Sequence, residues 1–125
     1  MKYYKIKYII IFFFGFIVFS FAQAKLEIKD AKKNFGFVKK GEVVKVLYEI
    51  SNAGNAPLIL SDIEIGCSCT TAEYDKKPLL PAQTSTVTII FDTKTVYDRQ
   101  DRVVLLHSND GKSPHKLRYK GVVLK

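Results

Sequence analysis

"EVVKVLYEISN", residues 42–52, carries a period of two. Val44, Val46, Tyr48 and Ile50 fall on one face, while Lys45 and Glu49 fall on the other. That is the signature of a strand with one face in a core and one in water. "QTSTVTIIFD" (83–92) repeats it, with Val87, Ile89 and Phe91 inward and Thr86, Thr88 and Asp92 mostly outward. β-branched residues crowd both runs, which suits a pleated sheet and weakens any helical reading. "HKLRYKGVVLK" (115–125) alternates through Leu117, Tyr119 and Val123. "RVVLLHS" (102–108) is apolar on both parities and reads as a central strand whose facing the pattern leaves open.

The punctuation between these runs agrees. "SNAGNAP" (51–57) separates the first strand from "LILSDIEI" (58–65), and "KKPLLPAQ" (76–83) precedes the next. Asp110-Gly111 within "SNDGKSP" (108–114) tolerates the positive φ angles of a tight hairpin. "TVYDRQDR" (95–102) is charged and reads as an exposed loop, in which Tyr97 is either a contact residue or, more ordinarily, a packed one. Regular strands between Gly, Pro and Asn turns, with no 3.6-residue apolar period, predict an all-β antiparallel sandwich of about seven strands. The core is expected to include Val46, Tyr48, Val87, Ile89, Phe91 and Tyr119. A disulfide bridging the two sheets against a tryptophan is excluded, because the chain has no Trp and its two cysteines are two positions apart.

The N-terminus has a different character. "MKYYKIKY" (1–8) carries three lysines and no acid, and fourteen uncharged residues follow, Ile9 to Ala22. "AQA" then places small Ala22 and Ala24 where a signal peptidase reads, so cleavage is expected between Ala24 and Lys25. The apolar run is shorter than the roughly 18 to 20 residues that span a bilayer, and no cysteine is near enough for a lipid anchor. The expected organisation is a signal peptide at 1–24 and one sandwich domain at 25–125. The product is then secreted to the periplasm or surface of a bacterium, with no membrane anchor after cleavage.

Removing residues 1–24 leaves seventeen basic against twelve acidic residues, a net +5. The remaining lysines are scattered, with no long basic block on one element, so nucleic acid is not an expected partner. Twelve acids fall mainly on outward strand positions or in turns. No Gly-rich phosphate loop and no nucleophile–base pattern appears, so no catalytic residue and no cofactor is assigned.

In chain order, "FGFVKKGEVV", "YEISNAGNAPLIL", "GCSCTT", "LPAQTSTVTIIFD", "HSND" and "YKGVV" form a combined pattern. It resembles the bacterial domain-of-unknown-function family numbered 1573, over about residues 30–125. More loosely it is similar to the β-sandwich modules of the major sperm protein and cilium-associated classes. The resemblance implies an immunoglobulin-like sandwich in a secreted envelope protein, and no activity. Members usually carry glycine between the cysteines, where this chain has Ser68, which makes a tight turn there slightly harder.

Cys67 and Cys69 are the candidate disulfide, redox or soft-metal residues. On a regular strand they would share a face with Cα atoms about 6.5 Å apart, near the upper limit for a bridge. A disulfide therefore requires a bend at Ser68. Outside the cytoplasm two thiols are ordinarily oxidised. No His or Arg lies within five residues of the pair, and Lys76 is the nearest cation in sequence, which weakens a redox role. Two thiolates suit Cu(I) or Zn(II), but a closed site needs three or four ligands. His107 and His115, which flank the 108–114 hairpin and could sit side by side, are expected at the far end of the sandwich. No metal is assigned. The favoured reading places the cysteines at a corner where the chain changes sheet. The favoured function is a non-catalytic structural or protein-binding module whose partner is another envelope protein. The alternative is a thiol-redox or copper-handling protein acting through the Cys-Ser-Cys pair.

Overall fold

The computed structural model describes residues 22–125, so the basic and apolar segment assigned to a signal peptide lies, up to residue 21, outside the described residues. Eight strands follow: β1 Leu26–Ile28, β2 Lys32–Lys39, β3 Val43–Asn52, β4 Leu60–Glu64, β5 Thr70–Glu73, β6 Thr84–Asp92, β7 Asp98–Ser108 and β8 His115–Leu124. They form two four-stranded sheets, one ordered β1-β3-β6-β5 and the other β2-β8-β7-β4. The first is antiparallel throughout. In the second, β2 joins β8 in parallel while the remaining pairs are antiparallel.

The alternation read from the sequence places the core. Val46, Tyr48, Val87, Ile89, Phe91 and Tyr119 are all buried. Phe91 occupies the centre, its ring 5.5 Å from that of Tyr119 and 5.8 Å from that of Phe35. The facing of the central strand is now visible: Val104 and Leu106 point inward, opposite Leu117 and His115 of β8, and Val103 is exposed. Two tyrosines join the sheets. Tyr48 of β3 donates its hydroxyl to the carbonyl of Arg118 on β8 at 2.6 Å, and the hydroxyls of Tyr119 and Thr70 are 2.7 Å apart.

Three strands carry no clean signal. β1 and β5 are too short for a period to show. β2 loses its alternation at a bulge between Asn34 and Gly36, where Gly36 takes φ +77° and Asn34 Oδ1 accepts the Gly36 N–H. Phe35 thereby turns inward and its ring lies over Gly121, where any Cβ would overlap it. The loop expected at 95–102 is corrected as well. β7 begins at Asp98, and Gln100 is buried with its Nε2 donating to the Tyr97 carbonyl at 2.9 Å. The charged residues mask a strand because alternate side chains, Arg99 and Asp101, point to water.

At one end of the sandwich Asn52, almost fully buried, gathers the loops. Its Nδ2 donates to the carbonyls of Ala56 and Leu79, and its Oδ1 accepts the N–H groups of Gly54 and Lys25. The 108–115 hairpin meets the 51–57 loop here, with Asn109 Nδ2 donating to the Pro57 carbonyl at 3.1 Å.

Candidate functional site

Two places in the fold collect chemistry. The first is the link from β4 in one sheet to β5 in the other, residues 65–69. Cys67 and Cys69 are joined by a disulfide with Cα atoms 5.2 Å apart. The chain bends at exposed Ser68, and the Thr70 N–H closes the turn onto the Cys67 carbonyl at 3.2 Å. Ser68 needs no left-handed backbone, since the described non-glycine residues with positive φ are Ala82 and Asp98. Serine in place of glycine is thus no obstacle here. The Asp92 N–H donates to the Cys69 carbonyl at 2.8 Å, pinning the corner to the end of β6.

The two sulfurs differ. Cys67 is half-buried and lines a cleft of about 220 Å³ with Gly66, Asp101, Arg102 and Tyr119. Its Sγ accepts the Cys69 N–H at 3.1 Å. Cys69 is 9% exposed, and its Sγ lies 3.6 Å from Thr70 Oγ1, the group bonded to Tyr119. Burial raises the Tyr119 pKa, against the opposing influences of Thr70 and Arg102, so the phenol keeps its proton. Arg102 is the cation that sequence distance concealed. Register sets it opposite Tyr119, and both Nε and Nη2 donate to Gln100 Oε1, at 3.1 and 2.9 Å. Its charge therefore meets a neutral amide and, 5.6 Å away, the Phe91 ring. Asp101, in the same cleft, is occupied by both arms of Arg118, which hold its carboxyl below the ordinary range.

The histidines do not sit side by side. His107 Nε2 is 2.9 Å from Glu64 Oε1 without an aligned hydrogen bond. His115 Nε2 instead contacts both oxygens of buried Asp110, at 3.0 and 2.9 Å. Among the described residues no group of three or more His, Cys, Asp or Glu is placed to hold a metal ion.

The second place is the outer face of the β2-β8-β7 sheet, of which sequence reasoning offered only Tyr97, as the less favoured contact residue. Register aligns Phe37 with Val122 and Arg99, and Lys39 with Leu124. Phe37 is 75% exposed, and Tyr97 and Leu124 are nearly half exposed. Cations surround them: Arg99 and Lys120 line a shallow groove of about 350 Å³ with Phe37, while Lys40 and Lys125 stand 5.6 and 4.6 Å from the Tyr97 ring centroid. The lysines looked scattered because they lie on different strands. Phe37 was hidden because the bulge sends it outward against the local pattern. Ala22 and Lys25, at the expected cleavage site, are exposed, and Ala24 is half-buried. Gln23 pairs through its backbone with Asn55, and the Lys25 carbonyl accepts the Ala53 N–H at 2.8 Å. No helix among the described residues is long and apolar enough to cross a membrane.

Two antiparallel-built sheets packed face to face, with a chain that passes repeatedly between them, define an immunoglobulin-like β-sandwich. The chain belongs to the family described as Protein of unknown function (DUF1573), whose model matches residues 26–123. No curated protein matches it. Among solved structures it is similar to a protein of unknown function from Porphyromonas gingivalis W83, with TM-score 0.73 and 21% identity over 86% of this chain. This chain spans about half of that protein, 51%. It is also similar to the ASH / PapD-like domain 7 of human CEP192, with TM-score 0.64 and 13% identity, covering 89% of this chain and 93% of that one. A weaker likeness joins it to the Vibrio cholerae VesB protease, with TM-score 0.59 and 11% identity, over 82% of this chain and 32% of that one. Identities this low establish the sandwich alone.

Proposed function

We propose that this chain is a non-catalytic protein-binding module of the bacterial envelope, exported by residues 1–24, which docks an acidic segment of another envelope protein. The observation that carries the reading is the exposed trio Phe37, Tyr97 and Leu124, set among Lys39, Lys40, Arg99, Lys120 and Lys125 on one sheet face. Aromatic and arginine side chains concentrate binding energy when an interface covers them, and the surrounding cations select a carboxylate-rich partner. Self-association by strand pairing is disfavoured at the edge of this sheet. β2 pairs only with β8 among the described strands, but Lys32, Lys33 and Lys39 flank its free edge, and the bulge bends it. Edge lysines and bulges both oppose strand-to-strand pairing of like copies.

The test is capture from envelope extract on wild type, a Phe37→Ser/Tyr97→Ser variant and a Cys67→Ser/Cys69→Ser variant. An acidic protein held by wild type and by the cysteine variant, released by the surface variant and weakened by salt, supports the reading. A bound anionic glycan or nucleic acid, or the same captured protein on all three, overturns it. A partner lost only with the cysteines favours the thiol-dependent alternative.

A further inference from the structure

We propose that the Cys67–Cys69 disulfide is an exchange site for client thiols, entered at Cys67, with Cys69 as the sheltered leaving thiol. The case is independent of the aromatic face and rests on the asymmetry of the corner. Cys67 lines an open cleft, whereas Cys69 is nearly covered. Each sulfur also has its own waiting hydrogen-bond partner, the Cys69 N–H for Cys67 and the Thr70 hydroxyl for Cys69.

The step balances as a two-electron exchange with a client dithiol. A client thiolate attacks Cys67 Sγ, a client–Cys67 bond forms, and the Cys67–Cys69 bond breaks with its electron pair on Cys69 Sγ. Thr70 Oγ1, 3.6 Å away, is placed to donate to that sulfur while the protonated Tyr119 hydroxyl donates to Thr70. The client's second thiolate then attacks its own sulfur in the mixed disulfide. Cys67 departs as a thiolate facing the Cys69 N–H, in the cleft that Arg102 also lines. The client is oxidised to a disulfide, the pair is reduced, and the two client protons end on the cysteines through solvent. Run in reverse, the same steps reduce a client disulfide. Thiolate stabilisation by a nearby cation and an N–H donor is the ordinary means of lowering a thiol's pKa. The partners of the Arg102 guanidinium, Gln100 Oε1 and the Phe91 ring, are both uncharged, and Arg118 neutralises the competing Asp101.

Glutathione serves as the probe. The folded wild-type protein is equilibrated across reduced and oxidised glutathione mixtures, and free thiols are counted by mass after alkylation. A reversible two-thiol transition with unchanged circular dichroism is expected. With oxidised glutathione, Cys69→Ser should form its mixed disulfide at least about tenfold faster than Cys67→Ser, because exposure governs access. Arg102→Gln in the Cys69→Ser background should slow that reaction several-fold, and Arg102→Lys should restore part of it. Thr70→Val should move the wild-type equilibrium several-fold toward the disulfide, whereas Phe37→Ser should leave it unchanged. A pair that stays oxidised in the folded protein at every mixture overturns the proposal, as do equal rates for the two single variants. The wild-type titration stands even where a variant fails to fold.

Discussion

Thr70 Oγ1 and Tyr119 OH lie 2.7 Å apart in the buried space between the sheets, one residue on β5 and the other on β8. The bond fixes the cysteine corner of one sheet to the central strand of the other. Since either partner is left unsatisfied when the other is removed, Thr70→Val and Tyr119→Phe should each cost roughly 1 to 3 kcal/mol. The double variant should cost clearly less than the sum, because both lose the same bond. Urea unfolding of the four proteins measures this, and simple additivity would show the two hydroxyls to be energetically independent.

Phe91 packs fully buried between Phe35 and Tyr119. Phe91→Ala should destabilise the domain by about 3 to 5 kcal/mol, a large share of the stability of a domain this size. Thr86→Ala, five positions earlier in β6 and exposed, should change it by less than about 0.5 kcal/mol. Comparable midpoints for the two variants would contradict the register of β6.

Acid should loosen the end of the sandwich that Asp110 holds. Burial pushes its pKa up, but hydrogen bonds from Ser108 and His115, the His115 charge and the Leu26 N–H outweigh this and hold it below the ordinary carboxylate value. A carboxyl depressed by folding stabilises the native state above its unfolded pKa of about 4, and that stabilisation disappears as pH falls through the lower folded value. Asp101 acts in the same sense but is exposed, so solvent screens it. Urea midpoints from neutral pH down to pH 3 should therefore fall, and Asp110→Asn should flatten the fall. An unchanged slope in that variant would place the acid sensitivity elsewhere.

Export, if it cuts after Ala24, reshapes one contact. A Cβ on Gly54 would overlap the backbone of Gln23, Ala24 and Lys25, and cleavage removes the first two. Mass spectrometry of the secreted protein should find Lys25 as the first residue. Gly54→Ala should then lower Tm less in a chain beginning at Lys25 than in one beginning at Ala22. An intact N-terminus on membrane-held protein would reject the cleavage, and equal Tm losses would reject the steric account.

The strands that were legible are those with one dry and one wet face over many residues. Val44 to Ile50 and Val87 to Phe91 alternate cleanly because one face of each strand packs in the core while the other meets water. β2 was illegible because its bulge puts Phe35 and Phe37 on opposite faces although they are two apart. At the cysteine corner the need for a bend at Ser68 followed from chain geometry, while the proximity of Arg102 did not. That residue reaches the cleft through the pairing of β7 with β8 and the grip of Gln100, neither of which leaves a local trace. The aromatic and basic face was hidden for the same reason, since it is assembled from β2, β8 and the approach to β7.

The parallel pairing of β2 with β8 has a kinetic consequence. β2 finds its partner from Lys32↔Arg118 to Lys39↔Leu124, nearly the full length of the domain away along the chain. Closing so long a loop costs entropy before any contact repays it, and such topologies fold slowly. While the polypeptide is being synthesised, the second sheet lacks its central β8 until His115–Leu124 emerges. The two sheets consequently cannot shut on one another until β8 has joined β7 and β2.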